Sequence, residues 1–325
     1  MFILIIEIVQ DYDIIKHADR GKIMKTKKAL AYITLISVVV AWGISFVSIK
    51  VVLDAFSPVA MAFVRFFIAT VTLIIIKQFT NKEKVNKEDY GRLAVSGIFA
   101  ITLYFFFENN GILRVSANSA SIIVATLPVA AIIADKIFYK TKISRLSVIS
   151  IIVSIFGIYL VIGKDVVGGS LSGYLYMFGS VIAWCGYLII TKPLFKKYSN
   201  ITITTYQSIF GTLAFIPLLP FETINFQMIN GNIILNLLFL ALICSSFGNF
   251  GYNFAFKELD VGISTLFLNL CPVVTFIFSF FILGETLRFS QIIGSIIIIA
   301  AVYIATKPPK VQSELDDNIK KADLN

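Results

Sequence analysis

Histidine and cysteine are scarce in this 325-residue chain, and charged residues make up only 14% of it. The single histidine, His17, precedes the first long apolar segment, which excludes a histidine-based metal site or acid–base relay in the apolar part of the chain. Cys185, Cys244 and Cys271 lie in apolar segments without the close spacing of metal ligands, so we interpret them as small buried hydrophobic residues. We expect neither a metal nor a cofactor.

The chain also lacks common hydrolase motifs. HExxH, which places two zinc-binding histidines on one helix, and GxSxG, which presents a nucleophilic serine on a sharp turn, are both absent. An intramembrane enzyme needs a nucleophile with a base or a metal, so we do not expect enzymatic activity. A membrane channel and an intramembrane enzyme are kept as the alternative functions.

Long apolar segments are what the chain has in abundance: 58% of its residues are hydrophobic, and its mean hydropathy is +0.87. About 20 apolar residues in a helix cross the hydrocarbon core of a bilayer. The apolar runs do not alternate with the period of two that barrel strands require, which predicts an all-α integral membrane protein. Ten segments qualify as transmembrane helices: 29–53, 58–79, 93–113, 118–138, 146–163, 172–191, 201–221, 233–256, 263–283 and 289–306.

Lysine and arginine are unevenly distributed about these predicted spans. If the N-terminus is cytoplasmic, 23 of the 28 lie on the cytoplasmic side and 4 outside, while Arg65 lies within a span. This positive-inside pattern predicts a multi-pass protein of the cell membrane with both termini in the cytoplasm. Because topology accounts for the net charge of +9, we expect the lipid bilayer as a partner and no nucleic acid.

The two halves of the chain repeat each other. The stretch "AWGISFVSIK" from Ala41 matches "AWCGYLIITK" from Ala183, so that the only two tryptophans, Trp42 and Trp184, stand at the same position. With a slightly longer offset, Pro128 matches Pro272. An odd number of spans in each copy forces opposite orientations, which predicts two inverted five-helix repeats as in many secondary transporters.

This repeat divides the chain into five parts. The repeats occupy 29–163 and 172–306, with a linker at 164–171 and tails at 1–28 and 307–325. Since "MKTKKALAY" from Met24 is typical of the start of a membrane protein, we expect Met24 to be the initiator.

The repeats together with several motifs resemble a known group of carriers. "AWGISF", "FVRFF" and "CPVVTFIFSFFILGETLRFSQIIG" resemble the drug/metabolite transporter superfamily, in particular its ten-helix EamA-type branch. The first repeat departs from that pattern, with Thr141 where the second has Glu285. The resemblance implies a carrier that moves a small organic metabolite without ATP, often an amino acid and often outward. The oligomeric state is left open, a monomer included.

Arg65 and Glu108 are the ionisable residues deepest in the predicted spans. A charge at a helix centre costs about 2.5–3.5 kcal/mol on insertion scales, so each needs a partner, water or a protein interior. Their similar predicted depths favour a permanent ion pair that joins the second and third spans. The alternative gives Glu108 a proton- or substrate-linked role.

The eighth span carries the densest polar face, formed by Asn249, Tyr252 and Asn253 at spacings of three and four. In the first repeat, Glu108 and Asn109 occupy the positions of Tyr252 and Asn253. Polar groups at equivalent depth in both repeats predict a central site lined by these side chains. Ordinary interhelical hydrogen bonding is the alternative.

The remaining candidates have structural or binding roles. Pro128 and Pro272 are expected to interrupt the fourth and ninth spans and to affect gating or pocket shape, with tolerated kinks as the alternative. Asp135 is expected in a helix-end salt bridge or an inner vestibule, and Glu285 is assigned a structural role. Aromatic and amide surfaces for an organic solute, or simple packing, are expected of Trp42, Tyr104, Trp184, Tyr187 and Asn269.

Overall fold

The computed structural model describes residues 20–139, 170–259 and 267–305, together with Ser264 and isolated positions between 149 and 160. Apart from one isolated antiparallel bridge between Phe56 and Ile224, the regular structure of these residues is helical. The helices are α1 Arg20–Val52, α2 Pro58–Thr80, α3 Tyr90–Gly97, α4 Tyr104–Arg114, α5 Ala117–Val124, α6 Leu127–Tyr139, α7 Leu171–Thr191, α8 Asn200–Leu213, α9 Gly231–Leu238, α10 Gly248–Leu259, α11 Cys271–Leu283 and α12 Phe289–Ala305.

Two long helices are each formed by a pair of these α-helices and a wider segment between them. The π-helical segment Ile98–Leu103 joins α3 to α4, and Phe239–Phe247 joins α9 to α10. Among the described residues, seven helical segments are long and apolar enough to cross a membrane: Thr26–Val52, Pro58–Thr80, Lys87–Arg114, Ala117–Phe138, Leu171–Lys196, Asn200–Phe221 and Gly231–Leu259. Two shorter apolar helices follow, and the predicted fifth span, 146–163, lies largely outside the described residues. The first helix begins at Arg20 rather than at residue 29.

The prediction of an all-α membrane protein built from two repeats is confirmed, and the helix ends show that the repeats are inverted. Glu222, in the segment after α8, accepts hydrogen bonds from the backbone N–H groups of Val59 and Ala60 at the start of α2. At the other end, Asn81 and Glu83 after α2 bond to Ser199 at the start of α8. Hence α2 and α8, which occupy equivalent positions in the two repeats, run antiparallel.

Equivalent residues of the two repeats contact each other near the middle of the bundle. The Thr70 and Thr212 hydroxyls are hydrogen-bonded at 2.9 Å, and the rings of Trp42 and Trp184 meet edge to face with centroids 5.6 Å apart. Members of both pairs are 142 residues apart. A pseudo-two-fold axis that relates the repeats therefore passes close to both contacts.

The third and seventh spans cross closely because small residues lie at the crossing. A Cβ atom on Gly97 would lie 2.5 Å from the carbonyl oxygen of Gln207, and one on Gly211 would lie 2.7 Å from the carbonyl oxygen of Gly97. Only glycine permits this approach of two backbones, as at other tight crossings in membranes.

One end of the bundle collects the basic loops. The loop at 82–89 and the segment 192–199 meet there: Lys197 forms a 2.9 Å ion pair with Asp89, and the Tyr198 hydroxyl donates to the same carboxylate at 2.7 Å. We call this end, at which α2 ends and α8 begins, the basic end. The opposite end, at which Glu222 meets α2, we call the far end.

Candidate functional site

A small cavity lies between the repeats, beside the two tryptophans. Its volume is about 30 Å³, which is room for one or two water molecules. Helices of both repeats form its wall, since Trp42 and Arg65 come from the first repeat and Trp184 and Cys271 from the second. The wall consists of Trp42, Ser45, Phe46, Arg65, Tyr104, Phe105, Glu108, Val124, Leu127, Trp184, Leu268 and Cys271.

Arg65 is held at the cavity by neutral groups. The side chain, on α2, is 1% exposed, and its Nε donates to the Ser245 hydroxyl at 2.6 Å. The guanidinium lies over the ring of Phe105, 4.5 Å from the centroid, and over that of Phe66 at 5.3 Å. Its Nη1 has no hydrogen-bond partner among the described residues. The charge is thus stabilised by aromatic faces, and at least one donor remains for a bound molecule.

Glu108 faces the same cavity but does not pair with Arg65. Its carboxylate is 4% exposed and accepts a 2.7 Å hydrogen bond from the hydroxyl of Tyr104, one turn earlier in the same helix. No direct ion pair joins the Arg65 guanidinium and the Glu108 carboxylate, both of which the structure describes. The permanent ion pair expected from the sequence is therefore not formed, because each charge bonds to a neutral side chain instead.

Aromatic rings form one side of the site. Tyr104 lies 4.9 Å and Tyr187 4.8 Å from the Trp184 ring, and Tyr252 lies 5.3 Å from both tryptophans, centroid to centroid. The Trp42 indole N–H donates to the carbonyl of Cys244 at 2.8 Å, which fixes that ring. Of these rings, Trp42, Tyr104 and Trp184 border the cavity, where they offer flat apolar surface with polar edges to an organic solute.

The second polar cluster predicted from the sequence is a hydrogen-bond network and does not line the cavity. The amide oxygen of Asn253 accepts from the Tyr187 hydroxyl, and its nitrogen donates to Thr204 at 2.8 Å and to Gln207 at 3.3 Å. Gln207 in turn donates to Ser96 at 2.6 Å. The prediction that Asn253 lines the cavity is corrected in favour of the alternative, interhelical hydrogen bonding.

Other amide candidates also lie away from the cavity. Asn109 donates to the carbonyl of Pro58 at 3.0 Å and so fixes α4 against the start of α2. Asn249 is half-buried on α10. Asn269 is 4% exposed, has no hydrogen-bond partner among the described residues, and borders a separate apolar pocket next to Phe267. Of the ten residues predicted to bind substrate, four border the cavity: Trp42, Tyr104, Glu108 and Trp184.

Each proline lies in the first turn of a helix that begins beside the cavity. Pro128 follows the turn that separates α5 from α6, and Pro272 lies in the first turn of α11, after a short 3₁₀ turn at Leu268–Leu270. In each repeat the break brings cavity-lining residues to the wall, Leu127 in the first and Leu268 in the second. Proline ends the preceding helix because it lacks an N–H donor.

The structure describes the contacts of Glu285 but not those of Asp135. The carboxylate of Glu285 accepts from the backbone N–H groups of Ala117 at 3.0 Å and Asn118 at 3.2 Å, at the start of α5. It thereby satisfies donors that a helix N-terminus leaves free and interacts favourably with the helix dipole. The side chain of Asp135 lies outside what the structure describes.

The sequence did not single out several members of the site. Ser45, Phe46 and Phe105 gave no signal because they resemble ordinary span residues. The partner of Arg65, Ser245, was also missed. Gln207, which belongs to the neighbouring hydrogen-bond network, could have been found, since it stands 142 residues after Arg65, at the offset of the two tryptophans.

Comparison with known proteins gives consistent matches along the chain. The EamA-like transporter family matches residues 29–163 and 171–307, the two repeats. An uncharacterized transporter of Archaeoglobus fulgidus is 27% identical over 278 residues, which cover 85% of this chain and 98% of that protein. A probable terminal-alkyne amino-acid exporter of Streptantibioticus cattleyicolor is 26% identical and covers 87% of this chain and 95% of its own. A solved crystal structure with 13% identity has the same fold, with a TM-score of 0.64 over 86% of this chain and 96% of that one.

Proposed function

The chain belongs to the EamA-like transporter family, and on that premise we propose that it is a secondary carrier for a small zwitterionic metabolite, an amino acid or a related compound. It works by alternating access across the cytoplasmic membrane, and export is the proposed net direction. The name of the Streptantibioticus cattleyicolor relative, an amino-acid exporter, supports this direction and this substrate class.

The observation that carries the substrate class is a separated pair of charges at one cavity. Arg65 and Glu108 both border it, and they form no direct ion pair with each other. A guanidinium with a free donor is suited to a carboxylate, and a carboxylate to an ammonium group. An amino acid offers both groups about one carbon apart, and its side chain could rest on the tryptophan rings.

The size of the cavity supports alternating access. About 30 Å³ does not hold an amino acid, so binding requires the repeats to separate at one end. Each end is closed by contacts between repeats: Glu222 with α2 at the far end, and Glu83 with Ser199 at the basic end. Breaking one set while the other persists would open the site to one side at a time.

Counterflow in proteoliposomes tests the carrier proposal. Purified protein should exchange a labelled amino acid against an unlabelled internal pool, with a rate that saturates; a thermal-shift screen of amino acids, nucleobases and cationic drugs selects the substrate beforehand. Nonsaturating flux without counterflow would indicate a channel. A stabilising ligand from the nucleobases or cations, with no amino acid effective, would contradict the zwitterion assignment.

We also propose that the basic end faces the cytoplasm, because the positive-inside pattern requires it. A cysteine placed at Lys84 should resist a membrane-impermeant maleimide added to whole cells, and one placed at Thr223, at the far end, should react. The natural cysteines are buried, so replacing them by alanine provides a clean background for both variants. Outside labelling at Lys84 would reverse the orientation.

A further inference from the structure

A groove at the basic end lies between α2 and α8, far from the central cavity. Its volume is about 310 Å³. Two lysines border it together with polar and apolar side chains: Lys77, Lys82, Gln78, Tyr206, Ile74 and Ile209. Because α2 and α8 are equivalent helices of the two repeats, whatever occupies the groove contacts both.

The groove is positively charged and contains no acid. The Nζ of Lys77 donates to the backbone carbonyls of Glu83 at 2.9 Å and Asn81 at 3.4 Å, which leaves one of its three N–H donors. None of the described residues that border the groove is Asp or Glu. The neighbouring carboxylate of Glu83 accepts from the backbone N–H and hydroxyl of Ser199. Two ammonium groups thus border the groove, and the one carboxylate that interacts electrostatically with Lys77, that of Glu83, is not part of the lining. The groove therefore keeps a net positive charge.

Apolar side chains are exposed beside the groove, and the groove lining becomes apolar toward the middle of α2 and α8. On α2, Ile75 and Phe79 are 50% and 87% exposed next to the groove. Ile74 lies about 4.5 Å deeper than Lys77, at 1.5 Å per helical residue. A molecule that fits this arrangement has an anionic head at the lysines and hydrocarbon chains along Ile74 and Ile209.

We propose that the groove binds an anionic phospholipid of the adjoining leaflet, with its phosphate at Lys77 and Lys82 and its acyl chains against the apolar floor. Basic pockets between transmembrane helices are known to bind anionic headgroups in this way. A zwitterionic lipid fits less well, because its ammonium group would meet two lysines and no carboxylate in the groove lining. Occupation would link the ends of α2 and α8 and so favour the arrangement in which the basic end is closed. This inference does not depend on the transported substrate.

The test compares the stabilisation of the purified protein in detergent by dioleoylphosphatidylglycerol and by dioleoylphosphatidylcholine. Phosphatidylglycerol should raise the melting temperature more, because a ligand of the folded state stabilises it by mass action. The double variant Lys77→Gln with Lys82→Gln should bind phosphatidylglycerol about 30-fold more weakly and leave the phosphatidylcholine effect unchanged.

Two further variants keep the test decisive. Lys84→Gln with Lys87→Gln removes the same amount of charge from the loop after α2, outside the groove, and should keep the phosphatidylglycerol effect. Ile209→Trp fills the apolar floor without a change of charge and should reduce that effect. The proposal is overturned if both double lysine variants lose the phosphatidylglycerol effect equally, or if the Lys77 and Lys82 double variant keeps it. An equal effect of soluble glycerol phosphate overturns the assignment to a lipid.

Discussion

The two repeats share one frame but carry different chemistry at equivalent positions. Where the first repeat has Arg65, the second has Gln207, and where the first has Glu108, the second has Tyr252. The first pair of side chains borders the cavity as separate charges, whereas Gln207 belongs to a neutral hydrogen-bond network. Pseudo-symmetry thus supplies two equivalent sets of positions, and substitution makes one a binding surface and the other an interhelical contact.

The residues that follow Glu108 and Tyr252 differ between the repeats in a similar way. Asn109 makes one hydrogen bond, to the carbonyl of Pro58, and its amide oxygen has no partner among the described residues. Its equivalent, Asn253, bonds to three side chains. The comparison teaches that the second repeat is the more firmly connected one around the site. Three predictions test the differences between the repeats and between the two ends of the bundle.

The largest expected effect comes from giving the first repeat the residue of the second. Arg65→Gln removes a charged donor from the cavity, which costs about 2–5 kcal/mol at a desolvated site, so counterflow of an amino acid should fall about 30-fold or more. Initial rates in proteoliposomes measure this. Arg65→Lys keeps the charge without the planar guanidinium, so its counterflow rate should lie between those of the wild type and Arg65→Gln.

The same variant also separates the roles of the two charges. An amine that lacks the carboxylate should be exchanged slowly by the wild type and no more slowly by Arg65→Gln. Glu108→Gln should impair exchange of that amine and of the amino acid alike. If Arg65→Gln exchanges the amino acid at the wild-type rate, the first repeat does not supply the carboxylate site.

A smaller effect, on stability rather than on transport alone, is expected at the equivalent asparagines. Asn253→Leu leaves the Gln207 and Tyr187 side chains without their partner and should lower the free energy of unfolding by about 1–3 kcal/mol. Asn109→Leu loses a single bond and should cost about 0.6 kcal/mol, the average for hydrogen bonds within membranes. Thermal unfolding of both purified variants measures the difference. Equal losses would show that the network does not make the second repeat the more firmly connected one.

The smallest effect concerns the carboxylates that close the two ends. Burial raises the pKa of Glu83, but hydrogen bonds from Ser199 and Thr202 outweigh it and hold the pKa below its ordinary value. A lowered pKa means that Glu83 stabilises the fold above about pH 4.3, its ordinary pKa, and that this contribution is lost as the pH falls through the folded-state pKa. Glu83→Gln should therefore lower the melting temperature slightly at pH 7 and not at pH 3.

Glu222→Gln at the far end is the matched variant for that measurement. Its carboxylate also accepts from helix N-terminal N–H groups, those of Val59 and Ala60, so a small loss at pH 7 is expected there too. A Glu83→Gln effect that persists unchanged at pH 3 would mean that its charge is not what closes the basic end.

Much of the architecture could be predicted from the sequence because the relevant signals are local and additive. Hydropathy over about 20 residues identifies a span wherever it packs, and the charges of short loops set orientation. The match of Trp42 with Trp184 predicted an inverted repeat, and the antiparallel α2 and α8 confirm it. The interruptions at Pro128 and Pro272 follow from the missing N–H of proline, which acts in any surroundings.

The tertiary structure alone decided which polar groups meet. The sequence predicts that Arg65 and Glu108 lie at similar depths. Successive side chains are rotated by about 100° around the helix axis, however, so the orientation of each helix determines which neighbour a side chain faces. That rotation depends on how helices cross, and the crossing depends on glycines such as Gly97 and Gly211 and on the π-helical segments. Thus Arg65 bonds to Ser245, and Asn269 lies outside the cavity although Leu268 and Cys271 border it. Contacts between distant segments are set by packing geometry, which one-dimensional patterns do not contain.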